Sequence, residues 1–513
     1  MVRGLAGWHY ADAVSIKGFH QGADGLSVHL RGRAALSAII GGTDMSAVVQ
    51  EEFDNRAGLW RAEFTATLAL GWPIILTNLA QTALTTSDVI LTGRLGPEAL
   101  AAGALGTNIY FFFLIFGIGV VTATSPMIAN TLGRNRHAVR DVRRTFRQGL
   151  WAIVFLSLPV WIILWHAGTL LLWLGQDPSL ASEAGRYVRA LQWSYLPSLA
   201  YILLRSFLAT LERPRWALVV CFLALPLNVA VAWCLMFGTL GMPRLGLVGA
   251  GYATFLASLF MAGGLVVVVM VDRQFRRYQL FGRFWRADWP RFIAIWRLGF
   301  PIGITLVFEV LVFNVSAFLM GVLGAKELAA HAIALQIASL CFMVPLGLGQ
   351  AVTIRVGRAH GAGDSKGVTR AGTVAITIAL GFAVLTAGMM ITIPHLLIAA
   401  FLDMSDPVNV PVIVLATQFL IFAAIFQLGD GAQAVTSGML RGLRDTSMPM
   451  LIAGIGYIGI GLPLGTALAF FTPLRGAGIW IGLATALTLV AIAMFWRWSK
   501  RDRLVQDWSN PVS

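Results

Sequence analysis

Long apolar runs recur along the chain from about residue 64 to residue 498, and short polar segments separate them. Each run has at least about 20 residues, the length that a helix needs to cross the hydrocarbon core of a membrane. Turn-forming segments at 175–178, 242–244 and 472–475 are among those that interrupt the runs. The pattern predicts an all-α membrane protein with twelve transmembrane helices, at residues 64–92, 99–130, 148–175, 186–210, 215–238, 246–272, 293–322, 327–354, 369–402, 408–439, 447–471 and 476–498.

Positively charged side chains are concentrated in alternate loops. The loops that follow even-numbered spans hold 20 Lys and Arg residues and the other loops hold 4, or 21 and 6 when residues at the span edges are included. Short loops rich in Lys and Arg remain on the cytoplasmic side of a membrane. The charge distribution predicts an integral inner (plasma) membrane protein with both termini in the cytoplasm.

An internal repeat relates the two halves of the chain at an offset of 228 residues. Pro73 matches Pro301, and residues 95–102 match residues 323–330 without a gap. Because six spans separate the matching positions, both halves have the same orientation in the membrane. The repeat predicts two six-helix lobes that arose by parallel duplication and enclose a central cavity.

The repeat also sets the expected domain boundaries. The N-lobe is predicted at 61–272, a cytoplasmic linker at 273–292, the C-lobe at 293–498 and a cytoplasmic C-terminal tail at 499–513. Residues 1–60 show no apolar period, which indicates a tail that is disordered or not native. Met45 begins a segment that leads into the first span, so residues 1–44 are either a disordered tail or an over-extended start.

Composition excludes several classes of protein. Hydrophobic residues make up 57% of the chain and charged residues 12%, roughly half the ~25% of a soluble domain. The net charge of +14 is explained by the loops, so no nucleic-acid partner is expected. The three cysteines lie inside apolar spans without paired spacing, and phosphate-loop, HExxH and nucleophile-elbow motifs are missing. We therefore expect no enzymatic activity, no catalytic residues and no cofactor.

Among the few acidic residues inside the predicted spans, three stand out: Asp88, Glu309 and Asp430. A carboxylate at mid-membrane costs ~2.5 to 3.5 kcal/mol, so these acids indicate function. The structural alternatives are a protonated acid bonded to a carbonyl group of a neighbouring helix and an acid at an interface that merely reaches water. Helical spacing aligns other polar positions with the acids, and the repeat places Glu309 at the position of Gln81. The candidates for lining a cavity are Asn78, Gln81, Thr85, Thr305, Phe426, Gln433 and Ser437.

Several segments resemble the MATE (multidrug and toxic compound extrusion) family, in its NorM-like branch. The segments are 69–74, 87–94, 298–301 with 308–309, 345–357 and 437–445, and the resemblance extends from about residue 60 to residue 500. It implies twelve helices in two lobes, a V-shaped outward-open state, and export of cationic or amphiphilic drugs driven by Na⁺ or H⁺. It also implies that Asp88 is the acid of the first helix and that Glu309 and Asp430 are the acidic pair of the second lobe.

One position departs from the resemblance. NorM-like proteins often have Tyr one turn before the acid of the tenth helix, where this chain has Phe426. The aromatic face remains available to a cation, but the hydroxyl group is missing. The departure weakens the case for Na⁺ at Glu309 and Asp430 and modestly favours H⁺, without deciding between them.

The hypothesis from the sequence is a monomeric antiporter, surrounded by membrane lipid, that exports small amphiphilic or cationic molecules. Asp88, Glu309 and Asp430 would bind the substrate and the coupling ion, because neutralising a buried acid removes the charge that holds a cation. The alternatives are a lipid-linked oligosaccharide flippase of the same superfamily, which would need a cavity rich in Arg, and a membrane-embedded enzyme. The sequence leaves the substrate open.

Overall fold

The computed structural model describes residues 45–282 and 285–502, with side chains from residue 57 onward. Predictions for residues 1–44 and 503–513 therefore lie outside the described residues. The described secondary structure is helical throughout. The helices are α1 (Met45–Gly93), α2 (Pro97–Thr122), α3 (Thr124–Arg134), α4 (Val139–Trp165), α5 (Ala167–Trp173), α6 (Pro178–Leu191), α7 (Tyr195–Thr210), α8 (Arg215–Phe237), α9 (Leu247–Val271), α10 (Arg273–Arg276), α11 (Trp289–Leu323), α12 (Ala325–Gly361), α13 (Ser365–Thr392), α14 (Pro394–Ile398), α15 (Val410–Gly442), α16 (Ser447–Gly454), α17 (Leu462–Phe471) and α18 (Gly476–Ser499).

Twelve spans are present, although only eleven helices in the described part of the chain are long and apolar enough to cross a membrane by themselves. The twelfth is the predicted span 186–210, which a short 3-10 turn at Gln192–Ser194 divides into α6 and α7. Pro197 lies in the first turn of α7, where its missing N–H group is tolerated. α16 and α17 likewise form one span, joined by a π-helical segment at Ile455–Gly461.

Several helices are longer than the apolar runs that predicted them. α1 begins at Met45 instead of residue 64, and α11 begins at Trp289, inside the segment predicted to be linker. Hydropathy detects only the length of a helix that lies within the hydrocarbon core, so it misses polar turns that extend beyond the core.

Two separate hydrophobic cores correspond to the two lobes. The first consists of side chains between Ala80 and Leu280. The second consists of side chains between Val312 and Trp498, together with Ile75 of α1. The prediction of two six-helix lobes is confirmed.

The two lobes meet through contacts that repeat at the same offset of 228 residues. A Cβ atom on Gly133 of α3 would lie 2.1 Å from the carbonyl oxygen of Arg358 in α12. A Cβ atom on Gly361 of α12 would lie 2.1 Å from the carbonyl oxygen of Asn130 in α3. Gly133 and Gly361 are repeat-related, and so are Asn130 and Arg358. The lobes therefore pack backbone against backbone about a pseudo-two-fold axis, which the small size of glycine permits.

Ion pairs join the lobes at the same end of the molecule. Arg355 of α12 binds both carboxylate oxygens of Glu63 in α1, at 2.8 and 2.7 Å. Glu212, in the turn between α7 and α8, accepts from Arg355 at 3.1 Å and from Arg358 at 2.7 Å. The lobes are therefore closed at the end that carries the arginine-rich loops.

Candidate functional site

A cavity of about 510 Å³ lies in the N-lobe, toward the end opposite the contact between the lobes. The structure places Asn78, Gln81, Thr85 and Asp88 on its wall, all on one face of α1 as their helical spacing predicts. The rest of the wall is mostly apolar or aromatic. It comes from α2, α6 to α9 and, across from the N-lobe, from Met343 and Leu346 of α12.

Neutral donors from two other helices hold Asp88. Asn228 of α8 donates from Nδ2 to Oδ1 at 2.6 Å, and Oγ1 of Thr254 in α9 lies 3.2 Å from Oδ2 and shares its one proton with the carbonyl oxygen of Ala250 at 3.0 Å. Sequence reasoning missed both donors, although each is a polar residue inside an apolar span. An amide and a hydroxyl group thus fix the carboxylate at the cavity wall without neutralising it.

Arg205 of α7 is the second feature of the N-lobe that sequence reasoning missed. Its Nη1 donates to Asn78 Oδ1 at 3.0 Å and to Gln81 Oε1 at 2.9 Å, and its Nη2 donates to Gln350 Oε1 at 3.4 Å. Gln350 belongs to α12, so this side chain connects the N-lobe polar stripe to the C-lobe. A count of charges confined to the loops could not detect an arginine inside a span.

The C-lobe acids have a different environment. Asp430 of α15 is buried and interacts electrostatically with Glu309 of α11. Within the described part of the chain, neither Asp430 Oδ1 nor the nearby Gln433 Oε1 accepts a hydrogen bond. Two neighbouring carboxylates repel each other when both are ionised, and a buried carboxylate oxygen without a donor is costly. This pair therefore favours a proton or a cation between its oxygens.

Thr305 and Ser437 border a narrow cleft in the C-lobe, together with Arg441. Thr305 donates to the carbonyl oxygen of Pro301 at 2.8 Å, as the repeat-related Thr77 does to Pro73 at 2.7 Å. Arg441 donates to Ser437 Oγ at 2.9 Å and also interacts electrostatically with Glu309. Thr305 and Ser437 thus border this cleft and are bonded to neighbours in the protein.

Phe426 packs inside the C-lobe core against Phe313 and Trp480, with ring centroids 6.0 and 5.7 Å apart. The structure brings another aromatic residue, Tyr457 of the π-helical segment, close enough to interact electrostatically with both Glu309 and Asp430. The Tyr457 hydroxyl group has no hydrogen-bond partner among the described residues. Tyr457 therefore supplies the kind of hydroxyl group that Phe426 lacks, from a different helix.

No group of three or more His, Cys, Asp or Glu side chains is arranged to hold a metal ion in residues 45–282 and 285–502. Na⁺ binds through oxygen atoms, so a site at Glu309 and Asp430 would need neutral oxygens as well. Tyr457 and Gln433 are suitable donors of such oxygens. The residues present are thus compatible with either Na⁺ or a shared proton.

The sequence model of the MatE family matches residues 73–234 and 301–466. The chain belongs to the MatE family. The two matched segments begin 228 residues apart, which is the offset of the internal repeat. The predicted membership is confirmed, and because the family consists of transporters, so is the prediction that the protein is not an enzyme.

Curated relatives of this MatE protein cover almost the whole chain. A protein of Mesorhizobium japonicum, named probable multidrug resistance protein NorM, is 57% identical over 446 residues, which are 87% of this chain and 96% of the relative. A protein of Brucella suis with the same name is 50% identical over 446 residues, 87% of this chain and 95% of the relative.

Solved structures support the MatE fold. A eukaryotic MATE transporter superimposes with a TM-score of 0.77 at 19% identity, covering 87% of this chain and 99% of that one. A multidrug resistance MATE family transporter in an outward-facing conformation gives a TM-score of 0.77 at 20% identity, covering 87% and 97%. These likenesses concern the fold.

Proposed function

We propose that this protein is a secondary multidrug efflux antiporter, which exports cationic or amphiphilic small molecules in exchange for H⁺ or Na⁺. The observation that carries the proposal is the N-lobe cavity, whose largely apolar wall holds one fixed carboxylate, Asp88. An apolar cavity with a single anionic group suits an amphiphilic cation. The relatives that bear the name multidrug resistance protein support the same assignment.

The positive-inside rule gives the orientation that we propose, with both termini in the cytoplasm. The closed end of the lobes then faces the cytoplasm, and the cavity lies toward the outside. This arrangement is an outward-facing state, from which the substrate is released. In the return step the ion pairs of Glu63 and Glu212 with Arg355 and Arg358 must break. We propose that a monomer in the lipid bilayer carries out this cycle.

The acid pair Glu309 and Asp430 is proposed to bind the coupling ion. Two features support this role: the two carboxylates repel each other when both are ionised, and no described residue donates to Asp430 Oδ1. A proton or Na⁺ would relieve the repulsion and would satisfy the free oxygen. Membrane potential adds ~2.3 kcal/mol for each charge that moves across 100 mV. Asp88, held by neutral donors within the cavity, is proposed to bind the substrate cation.

A lipid-linked oligosaccharide flippase would need arginines facing its cavity to bind a phosphate. None of the described residues that line the N-lobe cavity is an arginine. Arg205 is not among the lining residues, and its Nη1 group donates to the side-chain oxygens of Asn78 and Gln81. The cavity therefore favours a cationic substrate over a phosphate-bearing one.

Proteoliposomes that contain ethidium test the proposed function. Wild-type protein should move ethidium against its gradient when an inward H⁺ or Na⁺ gradient is imposed, and the two gradients are applied separately. The variant Asp88→Asn should transport less at low ethidium concentration. Ethidium movement that is independent of both ion gradients would contradict the antiport assignment.

A further inference from the structure

A second cavity of about 510 Å³ lies at the arginine-rich end of the N-lobe, between the start of α4 and the segment that precedes α11. Its wall is formed almost wholly by charged and polar side chains. The lining residues are Arg140, Arg143, Arg144, Arg147, Gln148, Arg286, Ala287 and Asp288. We call this cavity the arginine pocket. It is separate from the cavity that contains Asp88.

Five arginines line the described wall of the arginine pocket with one aspartate, which is already engaged, and a second aspartate, Asp141, lies 3.8 Å from Arg144 beside the pocket. Asp288 is 2.8 Å from Arg144 Nε and 3.2 Å from Arg291 Nε. Arg147 is repelled electrostatically by Arg143, Arg144 and Arg286. The buried Nε of Arg143 donates to no acceptor in the described part of the protein. The pocket thus has excess positive charge and an unused donor, the two features of an anion site.

The surface beside the arginine pocket is apolar and aromatic. Phe155 lies two helical turns beyond Arg147 on α4 and is exposed, as is Trp289 at the start of α11. The ring of Phe155 is 6.0 Å from those of Phe292 and Trp296, so α4 and α11 form one continuous aromatic face. A phospholipid carries a phosphate group next to apolar chains, so it matches a basic pocket next to an apolar face. A free phosphate would contact the arginines but not the aromatic surface.

We propose that the arginine pocket binds the phosphate headgroup of an anionic phospholipid from the surrounding leaflet, with the acyl chains along the aromatic face of α4 and α11. Basic pockets at the cytoplasmic surface are suited to such headgroups. The headgroup sits where Arg144 of the N-lobe pairs with Asp288, directly before the first C-lobe helix. It therefore holds the linker against α4 by neutralising the repulsion among the arginines.

Native mass spectrometry of the full-length protein, titrated with phosphatidylglycerol or with phosphatidylcholine, tests the proposal without any transport assay. The double variant Arg140→Gln/Arg143→Gln removes two positive charges without touching the bonds that Arg147 and Gln148 make to the backbone of the linker. Arg273→Gln/Arg276→Gln removes two exposed arginines at the same end of the molecule but outside the pocket, and is the matched control.

Wild type and the control should bind phosphatidylglycerol in preference to phosphatidylcholine, and the pocket variant should lose affinity for phosphatidylglycerol by on the order of tenfold. Equal affinity of wild type for both lipids, or equal loss in both double variants, would overturn the proposal. A third arm adds inorganic phosphate to the lipid-free protein. Binding of phosphate that depends on Arg140 and Arg143, without preferential lipid binding, would assign the pocket to a free anion and overturn the lipid assignment.

Discussion

The two lobes share one framework but carry different chemistry at repeat-related positions. Gln81 of the N-lobe and Glu309 of the C-lobe occupy the same place in the repeat, each four residues after a threonine bonded to a proline carbonyl. Gln81 accepts from Arg205, whereas Glu309 lies beside a second acid, Asp430. Duplication therefore kept the helix geometry while substitution gave one lobe an acid with neutral donors and the other an acid pair.

The difference between the lobes assigns their proposed roles. Asp88 has a donor for each oxygen, so it can remain at the cavity wall and contact a substrate cation. Asp430 has an oxygen to which none of the described residues donates and a carboxylate neighbour, so its environment changes most when a proton or cation arrives. The following predictions test this division of roles.

The largest effect is expected from the C-lobe acids. Glu309→Gln and Asp430→Asn remove the charges that we propose bind the coupling ion, and each should reduce gradient-driven ethidium efflux to the level of empty liposomes. Glu98→Gln and Asp406→Asn alter exposed acids outside the predicted spans and serve as controls. Asn can also cap the turn that Asp406 begins. Near-normal efflux by both C-lobe variants, with normal amounts of protein in the membrane, would sink the proposed role of the pair.

A nearly complete loss of efflux is also expected from a side chain at the contact between the lobes. Gly361→Ala brings Cβ to 2.1 Å from Asn130 O, and Gly133→Ala brings it to 2.1 Å from Arg358 O, so both should push the closed end apart. Gly381→Ala is the control because no atom of the described residues lies within 4 Å of the added Cβ.

The change in lobe contact can be measured as a distance between spin labels at Leu174 and Phe471. These exposed residues belong to different lobes and lie at the end opposite the arginine-rich loops. Both glycine variants should shift this distance relative to wild type, and Gly381→Ala should not. An unchanged distance in the two variants would contradict this prediction, because it would show that the helices at the contact adjust locally while the lobes stay in place.

A smaller effect is expected at the N-lobe acid. Asp88→Asn preserves the shape of the side chain but removes the charge that attracts a cation. Ethidium binding should weaken on the order of tenfold, since an interaction with a charged partner contributes about 1.5 to 3 kcal/mol. Asn228→Ala, which removes a donor but retains the carboxylate, should weaken binding less. Titration with ethidium, followed by tryptophan fluorescence, measures the affinity of both variants. Equal losses of affinity would indicate that the position of the Asp88 side chain matters more than its charge.

The framework was predictable from the sequence, and the partners within each site were not. The apolar runs and the repeat gave all twelve spans and both lobes, and helical spacing placed Asn78, Gln81, Thr85 and Asp88 on one cavity wall. The contacts of Asp88 with Asn228 and Thr254 span 140 and 166 residues of sequence. Local periodicity cannot report how distant helices are rotated, so such partners become visible only in the folded chain.

The smallest effect is expected at Tyr457, which the π-helical segment directs toward the acid pair. Tyr457→Phe removes one hydroxyl group, and a single neutral hydrogen bond contributes about 0.5 to 1.5 kcal/mol. The ion concentration for half-maximal efflux should rise about two- to tenfold, with the maximal rate unchanged. Phe426→Tyr adds a hydroxyl group in the packed core instead. An equal rise in the half-maximal ion concentration in this variant would argue against a specific role of Tyr457.

Paired assays of binding and transport on Asp88→Asn and Asp430→Asn test the central claim most directly. Ethidium binding without a gradient and efflux driven by an ion gradient are measured on the same preparations. The claim predicts that Asp430→Asn binds ethidium like wild type but shows no gradient-driven efflux, while Asp88→Asn binds weakly and still responds to the gradient at saturating ethidium. The reverse pattern, with coupling lost only in Asp88→Asn, would contradict the assignment of ion coupling to the C-lobe.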